Sequence, residues 1–300
     1  MATKKSAPKK KAAAPVKKKA AKPSTVKVTA FKATEVKVQY LKKIQKFSDA
    51  RKTDLIHVRK VIPKVKAGAK MRDMTPTAAL SLDQDVQLTR SGTRGVAPMA
   101  ATDTITLTKN VQLADVATAD TASHVCEPST AINGTVIFYT GNWFAAVSVN
   151  GGTSFLYVNP YTTFPNPAGM SFCCDQVVHY IKSIDTFVWL LQYSKDASGK
   201  NIQRIAYATT ANVRTGNWRF FDITPASLGL AAGTWLDFPD LSTSTNNLYM
   251  TSNDFTSAGA WQASVVVRIK LSSFTSGVLS ASSYKSTSYA SFRVDRKSVV

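Results

Sequence analysis

From residue 121 onward the chain alternates short apolar runs with polar turns. The most informative run is Phe187-Val188-Trp189-Leu190-Leu191, which is apolar at consecutive positions. A strand without alternation is buried on both faces. A helix is the rival, but the run is short, aromatic and β-branched, and turn residues Lys182–Thr186 precede it, so strand is predicted. Val177, Val178 and Ile181 predict a strand just before that turn. Further strands are predicted at Ile137–Tyr139, Phe144–Val149, Phe155–Val158, Ile202–Ala208, Trp218–Ile223, Leu248–Thr251 and Ser264–Leu271. Asn133-Gly134, Gly151-Gly152, Ser198-Gly199 and Gly216-Asn217 punctuate them as hairpin signals. Thr104–Val111 alternates, with Ile105 and Leu107 apolar, and reads as a strand. Further upstream, Val36, Tyr40, Leu41, Ile44 and Phe47 recur at helical spacing with Lys42, Lys43 and Lys46 between them, which predicts one short basic amphipathic helix.

The runs repeat. Asp175 to Asp237 spans 62 residues and Phe187 to Leu248 spans 61. Each copy reads acid, short strand, polar turn, apolar strand, and Cys126-Glu127-Pro128 before Asn133-Gly134 begins an earlier one. Arg204-Ile205 and Arg268-Ile269 hold similar places. A repeat of roughly 50–60 residues built from short strands predicts an all-β fold of β-propeller type. Trp143, Trp189, Trp218, Trp235 and Trp261 suit aromatics wedged between blades. Residues 121–300 hold only about three such repeats, so an incomplete propeller is expected. It would be a fragment of a longer protein, or a chain whose two copies self-associate to close a ring.

Charge changes the picture at the N-terminus. The chain carries 38 Lys and Arg against 18 Asp and Glu, net +20. Residues 1–80 hold 23 against 4, while residues 81–300 hold 15 against 14. Residues 1–24 are Lys, Ala, Pro and Ser, interrupted by Pro8, Pro15 and Pro23, and are expected to be a disordered basic tail. They resemble the lysine/alanine/proline-rich tails of histone-like proteins. Lys9, Lys10, Lys11, Lys17, Lys18 and Lys19 are the candidate contacts to a polyanion or nucleic acid. The division expected is therefore 1–24 tail, 25–100 basic linker with a short helix, and 101–300 partial propeller. No apolar stretch behind the basic start reads as a signal peptide, which makes cytoplasmic the default expectation. No run is long enough for a membrane span.

Ser148-Val149-Asn150-Gly151-Gly152-Thr153-Ser154-Phe155 resembles the Asp-box hairpin, Ser-x-Asp-x-Gly-x-Thr-Trp. Ser148 and Gly152 match, Asn150 stands for Asp, Ser154 for Thr and Phe155 for Trp. An Asn side chain folds back on turn amides as Asp does, and Gly supplies a positive φ. Ala208–Trp218 holds a degenerate second copy. With Trp189-Leu190-Leu191-Gln192-Tyr193 and Asp237-Phe238-Pro239-Asp240-Leu241, residues 121–275 resemble the sialidase-like six-bladed propellers, above all their functionally unassigned bacterial members. That resemblance implies a structural role for Ser148, Asn150, Gly152 and Phe155. A sialidase also needs three arginines around a carboxylate, a Tyr/Glu nucleophile pair and an Asp acid/base. The Phe-Arg-Ile-Pro string that places the first arginine is missing. Arg204, Arg214, Arg219, Arg268 and Arg293 lie on third strands and hairpins rather than at a channel.

Glu127, Asp175 and Asp237 stand near the starts of successive innermost strands, so a propeller would gather them round its channel. Such a ring would take a cation such as Ca²⁺ or a hydroxylated ligand. Alternatively each carboxylate accepts turn amides and pins its strand. Three cysteines, two of them adjacent, make no disulfide framework. His124, Cys126, Cys173, Cys174 and His179 do not match tetrahedral zinc spacing, and Cys126 and Cys174 suit small core positions. No phosphate loop or nucleophile elbow is present. Three function classes follow. The leading one is a non-catalytic propeller module binding a carbohydrate or protein ligand, with a polyanion-adhering tail and no required cofactor. The others are a sialidase-type glycoside hydrolase and a nucleoid-associated DNA-binding protein.

Overall fold

A computed structural model describes residues 25–43, 111, 113, 127–289, 291 and 292. Those residues form three antiparallel sheets, none closed on itself. The first sheet is a meander of β3 (Ser129–Asn133), β4 (Val136–Thr140), β5 (Ala145–Ser148) and β6 (Leu156–Val158). The second runs β7 (Phe172–Ile181), β8 (Thr186–Tyr193), β9 (Gln203–Thr209) and β10 (Asn217–Ile223). The third runs β11 (Thr234–Thr243), β12 (Asn247–Thr256), β13 (Trp261–Lys270) and β14 (Ala281–Ser286). The 62-residue repeat is thus one four-stranded meander. The leading strands lie side by side, β3 against β7 and β7 against β11.

The second sheet is buried on both faces, as the unalternating run predicts. All eight residues of β8 are buried. Phe187, Trp189, Leu191 and Tyr193 enter a core against the first sheet, while Val188 and Leu190 enter one against the third. In the first core Trp189 meets Phe138 at 5.0 Å, Phe164 at 5.4 Å and Trp218 at 5.8 Å. Trp143 joins them, whereas Trp235 and Trp261 are only half-buried on the third sheet. Burying side chains of this size stabilises by about 1.5–3 kcal/mol each.

Buried polar side chains tie the sheets together. Gln176 Nε2 donates to the carbonyls of Gly141 at 2.6 Å, Phe144 at 3.1 Å and Asn142 at 3.3 Å. Its Oε1 accepts from Trp189 Nε1 at 2.9 Å. Between the second and third sheets, Asn201 brackets Leu236, donating to its carbonyl at 2.9 Å and accepting from its N–H at 2.8 Å. Gln192 donates to the same carbonyl, and Gln203 bridges Gln192 to Ser252.

The N-terminal residues depart from expectation. No helix forms over the described part of the segment where one was predicted. β1 (Thr25–Val28) pairs with β14, β2 (Thr34–Lys37) pairs with β10, and Leu41 bridges Tyr157 on β6. One arm therefore crosses the last strand of the third, second and first sheets in turn. Val36 and Tyr40 fit a helix and a period of two alike, Val38 between them fits only the strand, and unpaired strand edges supply the backbone partners that decide between the two. Val36 faces the first core, Val38 is buried, and Tyr40 donates its hydroxyl to the Val213 carbonyl. Ile44 and Phe47 lie outside the described residues, as do residues 104–110 of the strand expected at Thr104–Val111.

The second hairpin motif expected at Ala208–Trp218 is a helix instead. α2 (Thr210–Thr215) is capped by Thr209 and ends at Gly216, φ 74°. It follows α1 (Pro160–Thr163) in the chain and has a counterpart in α3 (Ser272–Ser276), which closes on Gly277. Among the described residues no helix is long and apolar enough to cross a membrane.

Gln176→Leu removes the donor of three carbonyls and the acceptor of one indole while keeping the volume. Each buried polar atom left unpaired costs about 1–3 kcal/mol. We expect a loss of at least about 3 kcal/mol, measured as the shift in a urea unfolding midpoint, against under about 1 kcal/mol for the exposed control Thr130→Leu.

Candidate functional site

Two leading strands bulge where they carry an acid. In β7 the pairing with β8 steps from Phe172↔Tyr193 to Gln176↔Leu191, so Cys173, Cys174 and Asp175 stand opposite one residue. In β11 it steps from Asp237↔Asn253 to Asp240↔Thr251, leaving Phe238 and Pro239 opposite Ser252. Bulges re-aim side chains out of the ladder. Pro239 has no N–H to pair, which suits it to this place. Phe238 adopts φ 56°, a left-handed conformation costing a non-glycine residue about 1–3 kcal/mol. It holds its ring in solvent at 55% exposure.

The two bulges and Glu127, two residues before β3, bring three carboxyls together. Burial pushes the Asp175 carboxyl well above the usual carboxylate range, and the charges of Asp237 and Glu127 and a hydrogen bond with Glu127 push it further. Burial also raises Asp237, to about 6. The Phe238 N–H at 3.0 Å and the Lys195 ammonium oppose that rise, and the Glu127 charge adds to it. Asp175 and Asp237 are half-buried and Glu127 is exposed. Asp237 therefore exchanges its proton near pH 6, and Asp175 keeps its proton above the usual carboxylate range, so the cluster passes from donor to acceptor character at a higher pH than free carboxyls do. Turn-pinning accounts for one bond, from the Phe238 N–H to Asp237.

The cysteine expectation needs correcting. Cys173 and Cys174 are bonded to each other in the β7 bulge and are half-buried, so Cys174 does not serve as small core packing. Tyr161 donates to the Cys173 carbonyl at 3.1 Å. His179 faces Thr243 Oγ1 at 3.0 Å. His124 and Cys126 lie outside the described residues, and among those described no three His, Cys, Asp or Glu side chains are grouped to hold a metal ion.

The turn at Ser148 is laced by its own side chains. Asn150 Oδ1 accepts from Ser154 N at 3.0 Å, and Ser148 Oγ accepts from Gly152 N at 2.9 Å. Gly151 and Gly152 have φ of 69° and 81°. Phe155 is half-buried, and it is Val149 and Leu156 that pack on the core. The arginines do not converge. Arg204 is buried, held bidentate on Asp222 at 2.6 and 2.8 Å, 2.6 Å from the Tyr193 hydroxyl, and over the Phe220 ring at 4.0 Å. Arg214 binds Val149 O and Thr135, Arg219 pairs with Glu35, and Arg268 is exposed on β13. Arg293 and Lys9, Lys10, Lys11, Lys17, Lys18 and Lys19 lie outside the described residues.

Phe238 and Lys195 escape a sequence reading focused on acids. Pro239, between Phe238 and Asp240, was the one signal of a bulge there. Comparison with family models, with curated proteins and with solved structures gave no match.

Because Asp175 and Asp237 have folded-state pKa values above the unfolded value of about 3.9, the folded state binds more protons than the unfolded state. Their contribution is fully stabilising below about pH 4 and is lost as pH rises through about 6 and beyond. Asp175→Asn should therefore gain stability relative to the parent as pH rises from 4 to 7, read from paired denaturant titrations at the two pH values.

Proposed function

We propose that the chain is a non-catalytic binding module whose three meanders are blades of a β-propeller type, with its ligand site at the acid cluster. The carrying observation is the pair Asp175 and Asp237, both shifted upward, beside the exposed ring of Phe238. A protonated carboxyl donates, an ionised one accepts, and an exposed aromatic face covers apolar C–H surface. That combination suits a neutral hydroxylated ligand, a carbohydrate above all. A cation fits less well, because it would need Asp175 and Asp237 ionised against their raised pKa values.

A second reading, glycoside hydrolysis of the sialidase type, draws support from the same pair, since a general acid also needs a carboxyl with a raised pKa. The engagement of Arg204 by Asp222 and the scatter of the other arginines weigh against a carboxylate clamp. Titration with a panel of neutral oligosaccharides is expected to show saturable binding, weakened about tenfold or more by Asp237→Ala. The same protein should release no sugar from a sialoside panel. Turnover that Asp175→Asn abolishes would instead establish the hydrolase reading. If calcium raises the melting temperature and Asp175→Asn removes the gain, the site binds metal.

The basic tail is proposed to adhere to polyanions by charge. Log affinity of the full chain for duplex DNA should fall steeply with log salt, and removal of residues 1–24 should flatten that slope. An unchanged slope would leave the lysines as a merely solvated leader.

A further inference from the structure

A cavity of about 530 Å³ lies away from the acid cluster, on the face of the second sheet that looks toward the third. Its polar wall follows from strand register. Tyr207 pairs with Arg219, Arg219 with Glu35 and Asn217 with Lys37, so alternation brings these side chains to one face. Phe274 of α3 also lines it, its ring edge-on to Tyr207 at 5.1 Å.

Three features give this cavity chemistry. The Tyr207 ring is 4% exposed, and its hydroxyl makes no hydrogen bond of ordinary geometry, only a looser one in which it accepts from Arg219, so its own proton is free to donate. A buried hydroxyl left this way forgoes about 1–3 kcal/mol. Arg219 spends Nε and Nη2 on a single oxygen of Glu35, at 3.0 and 2.7 Å. Its Nη1 and the Tyr207 hydroxyl lie 3.7 and 3.9 Å from one point, the position that a side chain on Gly277 would occupy. Gly277 has φ 71° and carries none, so that point stays open. The wall is net cationic, with Lys37 and Arg219 against Glu35, and both partners of the ion pair are exposed enough to be reached.

We propose that this cavity binds a small organic acid. Its carboxylate takes Arg219 Nη1 and the Tyr207 hydroxyl, and its apolar body lies on Phe274. Arginine and a phenol donate to a carboxylate, and both bonds are strengthened by its charge. Glu35 is the resident competitor for the guanidinium. Because Glu35 sits on β2, the N-terminal arm carries that competitor, and ligand and arm oppose each other through the Arg219 guanidinium.

Benzoate is a suitable probe, with benzyl alcohol as the uncharged control of similar shape and inorganic phosphate as the control for a bare anion. Calorimetric titration of the full chain should show saturable benzoate binding and none by benzyl alcohol at equal concentration. Tyr207→Phe should weaken benzoate about tenfold or more, and Arg219→Gln should weaken it further. Glu35→Gln should tighten it, because it removes the competing carboxylate. A variant that merely destabilised the fold could not do so. Absence of saturable benzoate binding overturns the proposal. So does equal binding of benzyl alcohol, a response matched by phosphate, unchanged affinity in Tyr207→Phe, or weaker binding in Glu35→Gln.

Discussion

Buried side-chain amides between sheets are the constraint on which the other features depend. Apolar packing between two sheets is nearly indifferent to small sliding motions, because dispersion and area burial are not directional. Gln176 is directional. Its amide meets three carbonyls of the β4–β5 turn and one indole, and it can do so in a single register. Asn201 does the same for Leu236 from the other side of the second sheet. In a low-dielectric interior such bonds are costly to leave unmade, so they hold the leading strands in one relative position. Gln176 is the residue after Asp175, and Leu236 the residue before Asp237. The amides that align the sheets therefore also align the acids.

The acid cluster is held against its own electrostatics. Three carboxyls share a partly dry region, with Lys195 as the positive charge acting on Asp237. Ordinary core design would replace them with apolar groups, and the β11 bulge adds a residue in a left-handed conformation. Such conformations and carboxyls of raised pKa gather where a protein meets a ligand. By contrast Arg204, the most buried charge in the second sheet, is fully engaged by Asp222, Pro165 and Tyr193 and capped by aromatic rings. It is a structural ion pair, stabilised by complete satisfaction.

The arm gives the three sheets a common edge treatment. An exposed last strand offers unpaired N–H and C=O groups to any passing strand. Here one segment satisfies part of that need on β14, β10 and β6 in succession. Gly216 permits the close approach. Val38 N donates to its carbonyl at 2.7 Å, and a side chain there would press into the Val38 carbonyl oxygen. The arm also builds the wall of the cavity between the second and third sheets, which couples edge protection to that site.

What the sequence determined by itself was local and periodic. The unbroken apolar run at Phe187–Leu191 required a strand covered on both sides, and the 62-residue spacing of Asp175 and Asp237 marked equivalent strands of successive meanders. These are legible because burial and repetition leave their mark on adjacent residues. The helix expected at Val36–Phe47 shows the converse. A short segment fits periods of two and 3.6 alike, and the choice was made by strand edges that lie about 120–180 residues away along the chain. The joining of Cys173 to Cys174, the outward ring of Phe238 and the meeting of Tyr207, Arg219 and Glu35 were likewise decided by tertiary structure. Each depends on a bulge or a strand register, and a one-residue slip in register would send the same side chains to the opposite face.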